Sequence, residues 1–170
     1  MRPQLLVALL APLLFGGCAS TLGGEAVPLE GRAVEFARLE DCDGRQGTEL
    51  HRVVRTAAEW TQVWRQACGD GSVLPVMAAD GAAHAPAPAV DFERSLVVAS
   101  FAGEKATGGY VHRVTALTAF GDRVRVDVDR VRPGPECVVT QGTSYPGDVV
   151  VAERFGLPGR FVFRDLVQAC

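Results

Sequence analysis

The sequence predicts an α+β domain that is mainly β: an antiparallel sandwich or small barrel of seven or eight strands with one helix over about residues 57–67. Three observations carry that reading. From Val90 onward, short apolar runs recur at close spacing with turn residues between them, the signature of a sandwich or barrel. Val124, Val126 and Val128 alternate with Arg125, Asp127 and Asp129, so one face of that strand is dry and the other wet. Trp60, Val63, Trp64 and Ala67 fall on one stripe of a 3.6-residue period, which no strand would produce.

The elements follow in order. Ala33–Leu39 is the first strand, with Val34, Phe36 and Ala37 among polar residues. Asp41-Cys42-Asp43-Gly44 turns the chain, and Glu49–Arg55 returns it. Thr56-Ala57-Ala58-Glu59 is a T-x-x-E capping box that starts the helix, and Cys68-Gly69 ends it. The paired tryptophans could form a ligand platform, but their spacing better suits packing on a sheet. Gly69–Ala89, with its prolines and glycines, is a long loop of little chemistry. Ser95–Phe101 is apolar enough to be covered on both faces. Tyr110–Phe120 and Arg123–Val131 flank Gly121-Asp122 as a hairpin. Cys137–Gln141, Asp148–Ala152 and Arg160–Val167 complete the set.

The beginning of the chain reads as a leader. Arg2 precedes an apolar run, Leu5–Phe15, that suits the 7–15 residues of a signal-peptide core and falls short of the ~20 needed to span a bilayer. Leu14-Phe15-Gly16-Gly17-Cys18 resembles a bacterial lipobox. That resemblance implies a signal peptide over residues 1–17, a lipidated Cys18 as the mature N-terminus, and acyl chains on a membrane. Ala19 rather than Asp after the cysteine implies the outer membrane, facing the periplasm. An ordinary secretory signal cut near Ala19 is the rival reading. Residues 18–32, with Gly23, Gly24, Pro28 and Gly31, form a tether, and residues 33–170 form a single domain.

The 170 residues contain five cysteines, and assigning Cys18 to lipid leaves four. In an oxidising compartment these read as two disulfides. The helix should run back toward the turn at Cys42, which pairs Cys42 with Cys68 and leaves Cys137 for Cys170. Zinc would need close ligand pairs, and the smallest gap is 26 residues. The net charge of −3 gives no footprint for nucleic acid, and 48% hydrophobic residues exclude a disordered polar chain.

Motifs for catalysis are sparse. His51, His84 and His112 form no metal-binding spacing, and neither a G-x-S-x-G elbow nor a phosphate-binding P-loop occurs. A serine–histidine–acid set involving His51 or His112 could still assemble from distant residues, which keeps an envelope hydrolase as an alternative. Two loops are denser in chemistry. In Gly103–Tyr110, Gly108 and Gly109 can take positive φ and could build an anion-accepting nest, with Lys105, the sole lysine, and Thr107 as further donors. The second loop, Thr140–Gly147, carries Gln141, Thr143, Ser144 and Tyr145, and the bond before Pro146 could be cis. The plain reading is that both loops merely close turns.

Read in order, Gly103-Glu104-Lys105-Ala106-Thr107-Gly108-Gly109-Tyr110, Pro133–Gln141 and Thr143-Ser144-Tyr145-Pro146 resemble the C-terminal domain of the protease complex subunit PrcB family, over residues 90–163. Where that family more often reads S-P-Y or T-P-Y, this chain has Ser144-Tyr145-Pro146. The resemblance implies a non-enzymatic, lipid-anchored accessory protein that binds or stabilises a protein partner, with a protease complex as the example. It brings no catalytic residue, metal or cofactor. The binding residues would be Lys105, Thr107, Gly108, Gly109, Tyr110, Gln141, Thr143, Ser144 and Tyr145. A fainter similarity to chagasin-like cysteine protease inhibitors would place Thr107, Gly109 and Tyr110 in an inhibitory wedge.

Overall fold

A computed structural model describes residues 31–40, 42, 47–68 and 87–170. The leader and Cys18 lie outside the described residues, as do most of the tether, Asp41, Asp43-Gly44 and residues 69–86 with His84.

Eight strands and one helix are described: β1 (Arg32–Ala33), β2 (Phe36–Arg38), β3 (Glu49–Val54), α1 (Ala57–Ala67), β4 (Ser95–Ala102), β5 (Val111–Ala119), β6 (Val124–Pro133), β7 (Gly147–Glu153) and β8 (Gly159–Gln168). The strands form two four-stranded sheets, ordered β1-β5-β6-β8 and β2-β7-β4-β3. The architecture is an open sandwich, and no barrel closes.

Strand β4 explains the layering. Leu96 and Val98 point between the sheets, where they meet Val114, Leu117, Val124, Val126, Val128 and Val150. Val97, Ala99 and Phe101 point the other way, onto Trp60, Val63, Trp64 and Ala67 of the helix. The run is apolar throughout because both its faces are covered. The tryptophans pack edge to face at 5.3 Å, and Trp60 Nε1 donates to Pro88 O at 2.9 Å, so they serve the core. At the helix start, Thr56 Oγ1 accepts from Glu59 N at 3.2 Å. Glu59 reaches back one residue further than a standard capping box, accepting from Arg55 N at 3.1 Å.

The structure differs from the sequence reading at three places. The first strand is divided: β1 pairs with β5 and β2 with β7, so the chain steps from one sheet to the other around buried Val34. Val34 N still bonds Leu117 O at 2.9 Å across that step. Cys137–Gln141 is not a strand. Cys137 N closes a turn onto Gly134 O at 3.1 Å, and Val138 stands fully exposed with no ladder beside it. Lastly, β8 lies parallel to β6, in register from Val124 beside Gly159 to Pro133 beside Gln168. The cause is connectivity: β7, between them in the chain, belongs to the opposite sheet, so β8 arrives by a crossover rather than a hairpin.

Both disulfides have the predicted pairing, Cys42–Cys68 and Cys137–Cys170. A further tie joins the sheets. Asp148 of β7 is 7% exposed, accepts from Arg38 Nε at 2.8 Å and from Val114 N at 2.8 Å, and Arg38 Nη2 donates to Val114 O at 2.8 Å. Val114 sits where a register shift in β5 turns its backbone groups toward that carboxylate.

Candidate functional site

The two loops read from the sequence meet. Lys105 N donates to Ser144 O at 2.8 Å and Ser144 N to Lys105 O at 3.0 Å, a single antiparallel bridge outside the strands. Around it, Ser144 Oγ donates to Thr107 O at 2.6 Å, Gly108 N to Thr140 O at 3.0 Å, and Tyr145 Oη to Glu104 Oε2 at 3.3 Å. Ala102 N donates to Pro146 O at 2.9 Å, which anchors the base on β4. The loops therefore form one ridge.

The ridge assigns distinct places to the predicted residues. Gln141, Gly142 and Thr143 are exposed at its tip, and Gln141 Nε2 is 3.5 Å from Val139 O. Ser144 and Tyr145 are half-buried in the seam, as is Thr107, whose Oγ1 donates to Gly108 O at 3.2 Å. Gly109 has φ +85°, and an added Cβ would come within 2.7 Å of Val139 Cγ1. Gly103 has φ +71° and approaches the backbone of residues 47–49, where Glu104 N donates to Gly47 O at 3.2 Å. These two positions require glycine. Gly108 does not have positive φ, and its N–H and that of Lys105 are both taken by backbone carbonyls, so neither is free for the anion nest that the two glycines could build. The bond before Pro146 is trans.

Lys105 and Tyr110 leave the ridge for a cavity of about 290 Å³ below it, at the open end of the sandwich. Glu49, His112, Arg130, Arg132 and Asp165 share its walls. Arg130 is engaged there: it is paired with Asp165 through two contacts at 2.8 and 2.9 Å, stands 3.7 Å from Glu49, and lies over the Phe163 ring at 4.7 Å.

Behind this wall runs a chain of four side chains from three strands. Glu49 Oε1 is 2.7 Å from His51 Nε2, His51 Nδ1 is 2.8 Å from Ser100 Oγ, and Ser100 Oγ is 2.7 Å from His112 Nε2. His51 also stacks on His112 and tilts against Phe163. Burial, then the charges of His51 and Arg130, lower the pKa of His112 to about 4. The hydrogen bond from His51 is the largest cause holding Glu49 below the ordinary carboxylate range. An ionised Glu49 accepts from His51 Nε2, and whether the other ring nitrogen of His51 carries a proton sets the direction of the rest of the chain. With His51 neutral, its Nδ1 accepts from Ser100, and Ser100 in turn accepts from His112 Nε2. His112 Nδ1 is then a buried lone pair, and no partner reaches it.

The chain has the connectivity of a serine–histidine–acid set, but Ser100 has no exposed surface and cannot present its hydroxyl to a substrate. Sequence reasoning had named His51 and His112 and missed Glu49 and Ser100. No spacing motif marks them, because the contact is made across β3, β4 and β5. Among the described residues no group of three or more His, Cys, Asp or Glu side chains could hold a metal, and no helix is long and apolar enough to cross a membrane.

Residues 96–153 match the family model described as PrcB C-terminal. The match runs from β4 through β7 and contains the whole ridge, within the wider 90–163 expected from the motifs. No curated protein and no solved structure matches the chain.

Proposed function

We propose that this chain, whose residues 96–153 match the PrcB C-terminal family, is a non-enzymatic accessory protein that holds a protein partner, a protease complex, against the cell envelope. Its contact surface is the ridge. The observation that carries this reading is the locking of two loops by the Lys105–Ser144 bridge. It holds exposed Gln141 and Thr143 on a rigid base, close in sequence to fully exposed Val138. An exposed large aliphatic side chain beside polar ones suits a docking surface. Rigidity before binding lowers the ordering cost of association.

The leader reading completes the picture. Cys18, lipidated and made the mature N-terminus by removal of residues 1–17, anchors the domain through the tether to the outer membrane on its periplasmic side. Metabolic labelling with an alkyne fatty acid tests this. Label should enter the wild type and be absent from Cys18→Ala, and equal labelling of both would overturn the anchor.

For the ridge, partners are captured from intact envelopes with wild type and with a Val138→Asp/Thr143→Arg variant. These side chains are exposed, so the variant should unfold at the wild-type denaturant midpoint while losing the partners. An unchanged partner set from the folded variant would overturn the assignment.

A further inference from the structure

The cavity below the ridge has a surplus of positive charge. On the outer face of the β5-β6-β8 sheet, arginines and aspartates cancel: Arg125 pairs with Asp127 at 2.9 Å and Arg164 with Asp129 at 2.6 Å. The cavity wall holds three cations, Lys105, Arg130 and Arg132, against two carboxylates, Glu49 and Asp165. Both carboxylates are taken up by Arg130. Among the described residues Lys105 Nζ donates only to the carbonyl of Ala102, at 2.7 Å, and none pairs with Arg132. Ala102 and Pro146 supply a small apolar remainder, while Val111, Val131 and Leu166 line the cavity through their backbone, because alternation with His112, Arg130 and Asp165 turns their side chains to the outer face of the sheet. Burial keeps His112 uncharged at neutral pH, so it contributes a wall and not a charge.

We propose that this cavity binds a small carboxylate, its charge between Lys105 and Arg132. A volume of about 290 Å³ lies at the lower end of ligand sites, which run from about 300 to 1,000 Å³, and suits a short acid. Two cations left over once Arg130 has taken up both carboxylates fit a carboxylate ligand, whose charge-assisted hydrogen bonds are the strong kind. The inference goes beyond partner capture by the ridge and does not rest on it.

The test is an amide NMR titration of the full chain in non-ionic detergent, with butyrate, butyramide and inorganic phosphate as probes. Butyrate should shift the amides of Lys105, Val111, His112 and Arg132 saturably, and butyramide should not. Arg132→Met and Lys105→Met should each weaken butyrate binding about tenfold, with the remaining amides in place to report an intact fold. Butyramide binding as well as butyrate would overturn the role of charge. Phosphate binding more tightly than butyrate would overturn the carboxylate assignment. The absence of saturable shifts would overturn the site.

Discussion

Ser144 Oγ donates to Thr107 O at 2.6 Å, directly beside the backbone bridge that Ser144 makes with Lys105. One residue thus fastens the second loop to the first with three hydrogen bonds. Ser144→Ala leaves the backbone pair and strips the carbonyl of Thr107. The expected cost is about 1 kcal/mol, read as a lower urea midpoint at unchanged slope.

Gly109 and Gly121 separate conformational need from mere presence. At Gly109, φ is +85° and Val139 occupies the space of a Cβ; at Gly121 that space is open and φ is not positive. Gly109→Ala should destabilise by about 1–2 kcal/mol. Gly121→Ala should lie within about 0.5 kcal/mol of wild type, as surface substitutions usually do. Chemical denaturation of the two variants side by side makes the comparison.

Asp148 is expected to be the most sensitive charged residue. It is buried, it pairs with Arg38, and it accepts the Val114 N–H from the opposite sheet. Asp148→Ala leaves a half-buried guanidinium and an amide without their acceptor. Removing one partner of a buried pair costs about 3–5 kcal/mol; Arg38 keeps some exposure, which puts this loss near 3. Adding Arg38→Met should recover part of it, and a double-mutant cycle would measure how much.

Acid should weaken the fold through His112. The folded protein keeps this ring neutral down to about pH 4, while the unfolded chain protonates near its ordinary 6.5. Between those values the unfolded state binds more protons, so stability falls as pH drops from about 6.5 to 4. With solvent screening allowed for, the loss is roughly 2 kcal/mol. Glu49 acts in the same direction lower down: its depressed carboxyl contributes above the unfolded value of 4.5 and loses that contribution as pH falls below it. His112→Gln should flatten the upper part of the profile, measured as thermal midpoint against pH.

Each disulfide should be worth about 3–4 kcal/mol in the chain-entropy account, given sequence separations of 26 and 33. Cys42→Ser/Cys68→Ser and Cys137→Ser/Cys170→Ser are the pairs to compare by denaturation. Non-reducing peptide mapping of the wild type should return only the two observed links.

Local signals were the legible part of this chain. The Thr56–Glu59 cap, the Trp60–Ala67 stripe, the Val124–Val128 alternation and the Gly121-Asp122 turn each settle structure within a few residues, and each stands where it was read. The disulfides were legible because α1 must return its end toward Cys42. Cys137–Gln141 misled because apolar composition alone cannot show whether a ladder partner exists. The ridge was half legible: both loops could be singled out, but nothing in either predicts the Lys105–Ser144 pairing. The Glu49–His51–Ser100–His112 chain was illegible, since alternation on three strands brings it together and no spacing records that.

The crossover that delivers β8 beside β6 also sets a timetable. On a chain that folds as it is synthesised, N-terminus first, a strand can pair only after it has emerged, and of the described strands β8 comes last in sequence. Here the ten residues of β8 supply the neighbour of β6 and the Phe161 and Phe163 rings against His51, and Cys170, two residues beyond the strand, closes the second disulfide. A chain emerging from its N-terminus can assemble the β4–β7 pair and the ridge, yet β6 keeps an open edge until the final residues arrive. The wall of the carboxylate cavity formed by Asp165 and Leu166 therefore forms after the ridge, and a chain shortened before Gly159 would lack that wall.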